Sequence, residues 1–322
     1  MVWATLLLAM SLAISVTAYP QHAPCSEATL LVEVYGPQGQ PALGLQPNNF
    51  RARHRGKTLH ILKVTPWSGP ARVVLLFDLS GSATKEPNLT PIEKSIGLDI
   101  VSQAPAGMSF AMAVFASRAK VVAPFSAGIA TVENEIENLD ALAIRVPKNS
   151  RRTALYDAVE FAVGMFGHPR PGDAICIISD GGNNASKISR QQAERILLAN
   201  RVRLFAVVLP ESRPSRDRTP EEEEGPINLD KLAENSGGFR YVLRGSTPFE
   251  FRLSPSHWSE SVFHVPQEFD QVIMQGYNLE IALPSAFRKP ERWKLEVVDP
   301  KGKVDHQHFV AYPSLSPCEM KP

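Results

Sequence analysis

Three uninterrupted apolar runs set the tightest limit on how this chain can fold: RVVLLFDL at 72–79, AICIIS at 174–179 and VRLFAVVLP at 202–210. A strand with one wet face alternates apolar and polar residues. These runs do not alternate, so both faces of each strand must be covered. Between and around them lie segments whose apolar residues recur at helical spacing: TPIEKSIGLDIVSQA, IATVENEIENLDAL, TALYDAVEFAVGMF, SRQQAERILLAN and the Gly-stopped NLDKLAENSGG. The first has Thr90 as N-cap, Pro91 at the first helical position and Glu93 closing a capping box. SFAMAVFAS, AKVVAPFS and FRYVLR add further strands. The pattern predicts an α/β fold, a mainly parallel sheet with helices on both faces.

The flanks differ. Residues 19–68 lack helical periodicity: TLLVEVYG reads as a strand, GPQGQP as a turn, and FRARHRGKTLHILKV as two strands about an Arg-Gly-Lys turn. Residues 246–322 return to β character in YNLEIAL, RWKLEVVD and VDHQHFVAY, with a turn at PKGK. LSPSHWSESVFHVPQEFDQVIMQG has no assignment. The expected organisation is therefore a leader at 1–18, an N-terminal β segment at 19–68, an α/β domain at 69–245 and a C-terminal β segment at 246–322, the two β segments combining in a small sandwich. Within the α/β domain, PESRPSRDRTPEEEEGP reads as a solvated surface loop.

The leader has an apolar core from Trp3 to Val16 and ends in Val16-Thr17-Ala18, a small-residue cleavage pattern. The run is short for a span, which needs on the order of 20 residues. It predicts a signal peptide and a secreted or periplasmic, cell-envelope protein with no stable membrane span after signal cleavage, with a membrane anchor as the alternative. Three cysteines remain compatible with export. Cys176, inside an apolar strand, is expected to be a buried free thiol. Cys25 and Cys318, near the two mature ends, either pair as a disulfide or stay free. A formal net charge of +1 offers no clustered basic field, which excludes nucleic acid as an implied partner.

In an open parallel sheet, ligands gather beyond the carboxyl ends of the strands. Asp78, Ser80 and Ser82 leave the first apolar strand at that edge. Asp180 leaves the second there, in SDGGNN, and Thr153 opens the helix TALYDAV on the same side. This set is all oxygen. It suits a hard divalent cation, Mg²⁺ foremost, with Mn²⁺ or Ca²⁺ as alternatives. Two carboxylates balance the ion, hydroxyls add no charge, and an open position would admit a carboxylate from a partner. An enzyme reading is weaker. FDLSGS is not the Gly-x-Ser-x-Gly nucleophile elbow, and His168 falls at the opposite edge. There is no Gly-rich phosphate loop. Asp157 reads as a helix-face carboxylate with local hydrogen bonds, and His306 and His308 as neighbours on one strand face.

FDLSGSA, followed by TALYDA and then IISDG, resembles the von Willebrand factor type A (vWA) domain. The resemblance implies a metal-ion-dependent adhesion site (MIDAS) built from Asp78, Ser80, Ser82, Thr153 and Asp180, with Ser80 and Ser82 bound directly and the acids often acting through water. It implies a non-enzymatic function in protein binding or cell adhesion, with a partner supplying an Asp or Glu. The strand, Gly turn and "GK" turn ahead of the domain resemble secreted bacterial vWA-related proteins. Two departures stand out. Arg151 and Arg152 precede Thr153 where relatives often have glycine, and Gly182, Asn183 and Asn184 follow Asp180 where relatives have acids. The competing expectation is a scaffolding module that binds through its β segments and keeps only a vestigial metal site.

Overall fold

The computed structural model describes residues 26–36, 40–69, 71–81, 89–209, 220–244, 252–255, 273–283 and 287–317. The expected leader, Ser82, Cys25 and Cys318 lie outside the described residues. The chain begins with strands β1 (Glu27–Tyr35), β2 (Phe50–His54), β3 (Lys57–Leu59) and β4 (Ile61–Ser68). It continues through β5 (Arg72–Asp78), α1 (Leu89–Ser102), β6 (Ser109–Phe115), β7 (Ala119–Ala123), α2 (Ile129–Glu137), α3 (Leu139–Arg145) and α4 (Leu155–Met165). Then come β8 (Ala174–Ser179), α5 (Arg190–Asn200), β9 (Arg203–Val208), α6 (Pro220–Ser236), β10 (Arg240–Arg244) and β11 (Arg252–Pro255). The last strands are β12 (Gln275–Ala282), β13 (Lys294–Val297) and β14 (Phe309–Ala311).

The three apolar runs are β5, β8 and β9, adjacent strands in a seven-stranded sheet of order β11-β10-β9-β8-β5-β6-β7. The five inner strands are parallel, and β7 and β11 close the edges antiparallel. Alternate residues of β5 explain the missing hydrophobic alternation. Val73, Leu75 and Phe77 pack toward α1, α2 and α3, while Val74 and Leu76 pack toward α4, α5 and α6. Cys176 on β8 is fully buried in the sheet, as expected. The chain leaves β5 toward β6 and β7, then returns to β8 on the other side of β5. That reversal leaves a crevice at the carboxyl ends of β5 and β8, where neither crossover covers the edge.

Several elements differ from the sequence-based expectation. Helix α1 starts at Leu89, ahead of Thr90, so Thr90 lies inside the helix rather than capping it. The acidic, Pro-rich segment is not a loop throughout: α6 starts at Pro220 and takes in the glutamate run, Gly225 and Pro226. A proline at the start and acids in the first turn both favour a helix N-terminus. The expected strand TLHILKV breaks at His60 into β3 and β4, which belong to different sheets. β14 covers only the end of VDHQHFVAY. His308 precedes it and faces Asp305 instead, its Nδ1 lying 2.9 Å from Oδ2.

The flanking segments do fold on each other. A four-stranded sheet, β14-β1-β12-β4, faces a three-stranded one, β13-β2-β3, so each sheet mixes strands from both ends of the chain. Their core joins Val32, Val34, Leu279 and Ile281 to Phe50, Ala52, Leu295 and Val297. This sandwich also covers the part of the α/β sheet that α1–α3 leave open. Tyr35, Phe309 and Ala311 meet Phe205, Phe239 and Tyr241 there, with Tyr35 edge-on to Phe239 at 5.9 Å. Beneath this aromatic layer Glu33 of β1 pairs with Arg203 of β9, and both are almost fully buried. Arg203 also donates to the Ile273 carbonyl at 2.9 Å. Burial pulls its guanidinium down to about 9.

A buried pair of this kind is costly to break on one side, because the survivor keeps its desolvation cost without its partner. Glu33→Ala is expected to destabilise the chain by about 3–5 kcal/mol. Glu33→Leu combined with Arg203→Met should recover most of that loss. Urea unfolding of the three proteins measures both effects.

Candidate metal centre

β5 delivers Asp78 to the crevice. The carboxylate is wholly buried and held from two sides: the Ser80 N–H donates to Oδ1 at 2.9 Å and the Ser179 hydroxyl to Oδ2 at 2.6 Å. The Ser80 hydroxyl bonds to it as well, and Ser80 is itself fully buried. β8 delivers Asp180, which is 9% exposed and accepts the Gly182 N–H at 2.9 Å. The Ser179 oxygen in turn accepts the Gly181 N–H at 3.0 Å. Each acid is thus fixed by a backbone N–H two residues ahead, the turn geometry that a short side chain supports at a strand end.

The loop ahead of α4 brings in the third group. Thr153 is 3% exposed and lies two residues before the helix rather than at its first residue. Its N–H donates to Asn184 Oδ1 at 2.9 Å, and its carbonyl accepts the N–H groups of Asn184 and Ala185. The Gly81 N–H donates to the Arg151 carbonyl at 2.8 Å, so the β5 loop is tied to the Thr153 loop directly. Asp78, Ser80, Thr153 and Asp180 therefore stand on three loops laced together at one sheet edge.

The lacing residues include two of the departures noted in the sequence. Asn183 Oδ1 accepts the Leu155 N–H at 3.1 Å, and the Ser186 hydroxyl oxygen accepts those of Tyr156 and Asp157. The β8 loop thereby caps α4 from outside, in place of a cap from its own flank. Asp157 completes the arrangement by accepting the Lys187 and Ile188 N–H groups, a structural role distant from the crevice chemistry. The two arginines do not plug the site. Arg152 donates to the Asn184 carbonyl and Arg151 to the Val146 carbonyl. His168 lies at the other edge of the sheet, where its carbonyl accepts from Arg72 at the start of β5.

Electrostatically the site is unbalanced. Burial first, and then the Asp180 charge, push the Asp78 carboxyl up to about 7 despite its hydrogen bonds. Glu93 of α1 was not singled out as a site residue from the sequence. It is 1% exposed, and its Oε1 has no hydrogen-bond partner among the described residues. Burial raises it well above the usual carboxylate range, with Asp78, Asp180 and Asp140 adding to the effect. Among the described residues none of these three acids forms an ion pair with a Lys, Arg or His. Among the same residues, no group of three or more His, Cys, Asp and Glu side chains is placed to hold a metal. The donor set here is instead two carboxylates with neutral hydroxyls. Oxygen donors around uncompensated negative charge fit a hard divalent cation and no softer one in particular.

Residues 73–183 match the family model of the von Willebrand factor type A domain. No curated protein matches the chain. Among solved structures, protein BatB from Bacteroides thetaiotaomicron is similar at 18% identity over 55% of this chain and 91% of that one, with a TM-score of 0.43. A von Willebrand factor type A protein from Catenulispora acidiphila is 12% identical over 92% of this chain and 74% of that one, at 0.44. Proximal thread matrix protein 1 from the mussel byssus, in a form with a zinc-occupied MIDAS motif, is 18% identical over 69% and 50%, at 0.46. The matched segment spans β5 to the Asp180 loop, and with its mainly parallel sheet and helices on both faces the α/β unit has the fold of a von Willebrand factor type A domain.

Proposed function

We propose that this chain is an exported, non-enzymatic binding protein that engages a protein partner through a divalent cation at the carboxyl edge of its vWA domain. The observation that carries the reading is the pair Asp78 and Asp180, buried together at the switch point with no base among the described residues to balance them. Asp78, Ser80, Thr153 and Asp180 would hold the ion, with Ser82 as the further hydroxyl supplied by the sequence motif. Mg²⁺ is the ion of choice, because a charge-dense cation tolerates few protein ligands and keeps waters. When bound it supplies an electrophilic position for an incoming Asp or Glu carboxylate. The chain's own contribution is to fix the acids through backbone N–H groups, so that they stay poised when water is the only other ligand. Export rests on the leader motif. Among the described residues no helix is long and apolar enough to cross a membrane.

Asp78→Ala should abolish Mg²⁺ and Mn²⁺ binding in calorimetric titration while leaving the far-UV circular dichroism of the chain unchanged. Wild-type protein that gives neither heat nor a thermal shift with either ion would rule the reading out. Partner capture from a native cell envelope should be lost in EDTA and lost with Asp78→Ala. Capture that survives both would move recognition to the β sandwich.

The same site generates a pH dependence with a definite sign. Asp78 titrates near 3.8 when unfolded and at about 7 when folded and ion-free. The folded state therefore holds the proton longer. Its contribution is full below the unfolded value and is lost as pH rises through the folded one. In a chelator, the melting temperature should fall between pH 5 and pH 8, and Asp78→Asn should flatten that fall. Added Mg²⁺ should stabilise the wild type more at pH 8 than at pH 5. A wild-type profile unchanged by Asp78→Asn would contradict the assignment.

A further inference from the structure

The geometry points to Gly225, on helix α6 and remote in sequence from every candidate ligand, as a positioning residue for Asp180; the inference rests on Asp180 serving the cation site. The metal loop and the helix touch backbone to backbone. A Cβ on Gly225 would fall 2.6 Å from the Gly181 carbonyl oxygen and 3.0 Å from the Gly182 nitrogen. A Cβ on Gly181 would meet the Gly225 carbonyl carbon at 2.6 Å and the Pro226 nitrogen at 2.8 Å. Neither approach leaves room for any side chain, and all the opposing atoms are main chain, which cannot swing aside as a flexible side chain would.

The contact matters because of what lies on its far side. The Gly182 N–H that Gly225 abuts is the donor that holds Asp180 Oδ1 at 2.9 Å. Gly181 sits at φ +87° and carries the N–H that fixes the Ser179 hydroxyl, which in turn donates to Asp78. Pressure on the two glycines from α6 therefore sets the aim of both acids. Pro226 contributes from inside the helix. It has no N–H to give to a helical bond at the point where the loop docks. Gly225 is thus the third layer of the site: helix backbone against loop backbone, and loop backbone against carboxylate.

Titration of the full chain with Mg²⁺ and with Mn²⁺ tests this. Gly225→Ala should weaken both ions by about 10–100-fold, the range typical for loss of a group that orients a metal ligand. Its circular dichroism should match the wild type. Saturating cation should restore the full thermal stabilisation, because the site is displaced and not removed. Gly164→Ala in α4, where an added Cβ has no neighbour within 4 Å, is the control and should leave affinity unchanged. Pro226→Ala adds no atom to the contact and returns an N–H to the helix. It should lower affinity without lowering the melting temperature, and it decides the matter if Gly225→Ala does not fold. Wild-type affinity in both variants overturns the inference while leaving the cation reading intact. Failure of the wild type to bind either ion overturns both.

Discussion

Two carboxylates held out of water beside one another are the most demanding feature of this molecule, and the carboxyl edge of the sheet is organised around them. Burial disfavours the Asp78 charge, and the Asp180 charge beside it disfavours it further. Asp78 is offered the Ser80 and Ser179 hydroxyls and a backbone N–H, yet these do not offset the desolvation. Such an arrangement persists only where the surrounding structure over-determines it. Here the over-determination is visible: the β5 loop is tied to the Arg151 carbonyl, the Thr153 loop to Asn184, and the Asp180 loop to the backbone of α6. A doubly charged ion would relieve the imbalance. Without one, the first response available is protonation.

What the amino-acid sequence revealed, and what it hid, follows from the range of the forces involved. β5, β8 and β9 were readable because burial on both faces removes alternation, a signal contained in each strand alone. Asp78 and Asp180 were readable because a charge that ends an apolar run marks the strand's exit. The roles of Asn183, Asn184 and Ser186 were not. They cap a helix that begins some thirty positions earlier, and no local pattern announces a cap supplied from another loop. Asn183 and Asn184 stood out in the sequence as missing acids, when their carbonyl oxygens were needed as neutral acceptors for backbone N–H groups. Glu93 suggested a capping box, and its burial beside the site depends on how α1 lies over β5.

The acidic segment that opens α6 shows a different limit. Proline, glycine and a run of like charge all argue against regular structure when counted by composition. Position reverses that argument: at a helix N-terminus the same proline and acids are favourable, and the glycine permits a close approach that no other residue would allow. The break at His60 is a similar case. A period-2 pattern continues through it, but β3 finishes its pairing with β2 after three residues and the chain crosses to the other sheet.

The sandwich has a consequence of its own. β1 and β4 flank β12 in one sheet, and β2 pairs with β13 in the other, so the entire α/β unit is an insertion between two halves of a β module. On a ribosome the first half emerges long before its partners exist. Until β12 arrives, β1 and β4 have no strand between them and their main-chain groups stay available to any passing edge. Closing so wide a loop is entropically slow. Maturation of this chain should therefore be limited by the arrival of its C-terminal strands, and the nascent N-terminal half is where a chaperone has most to protect.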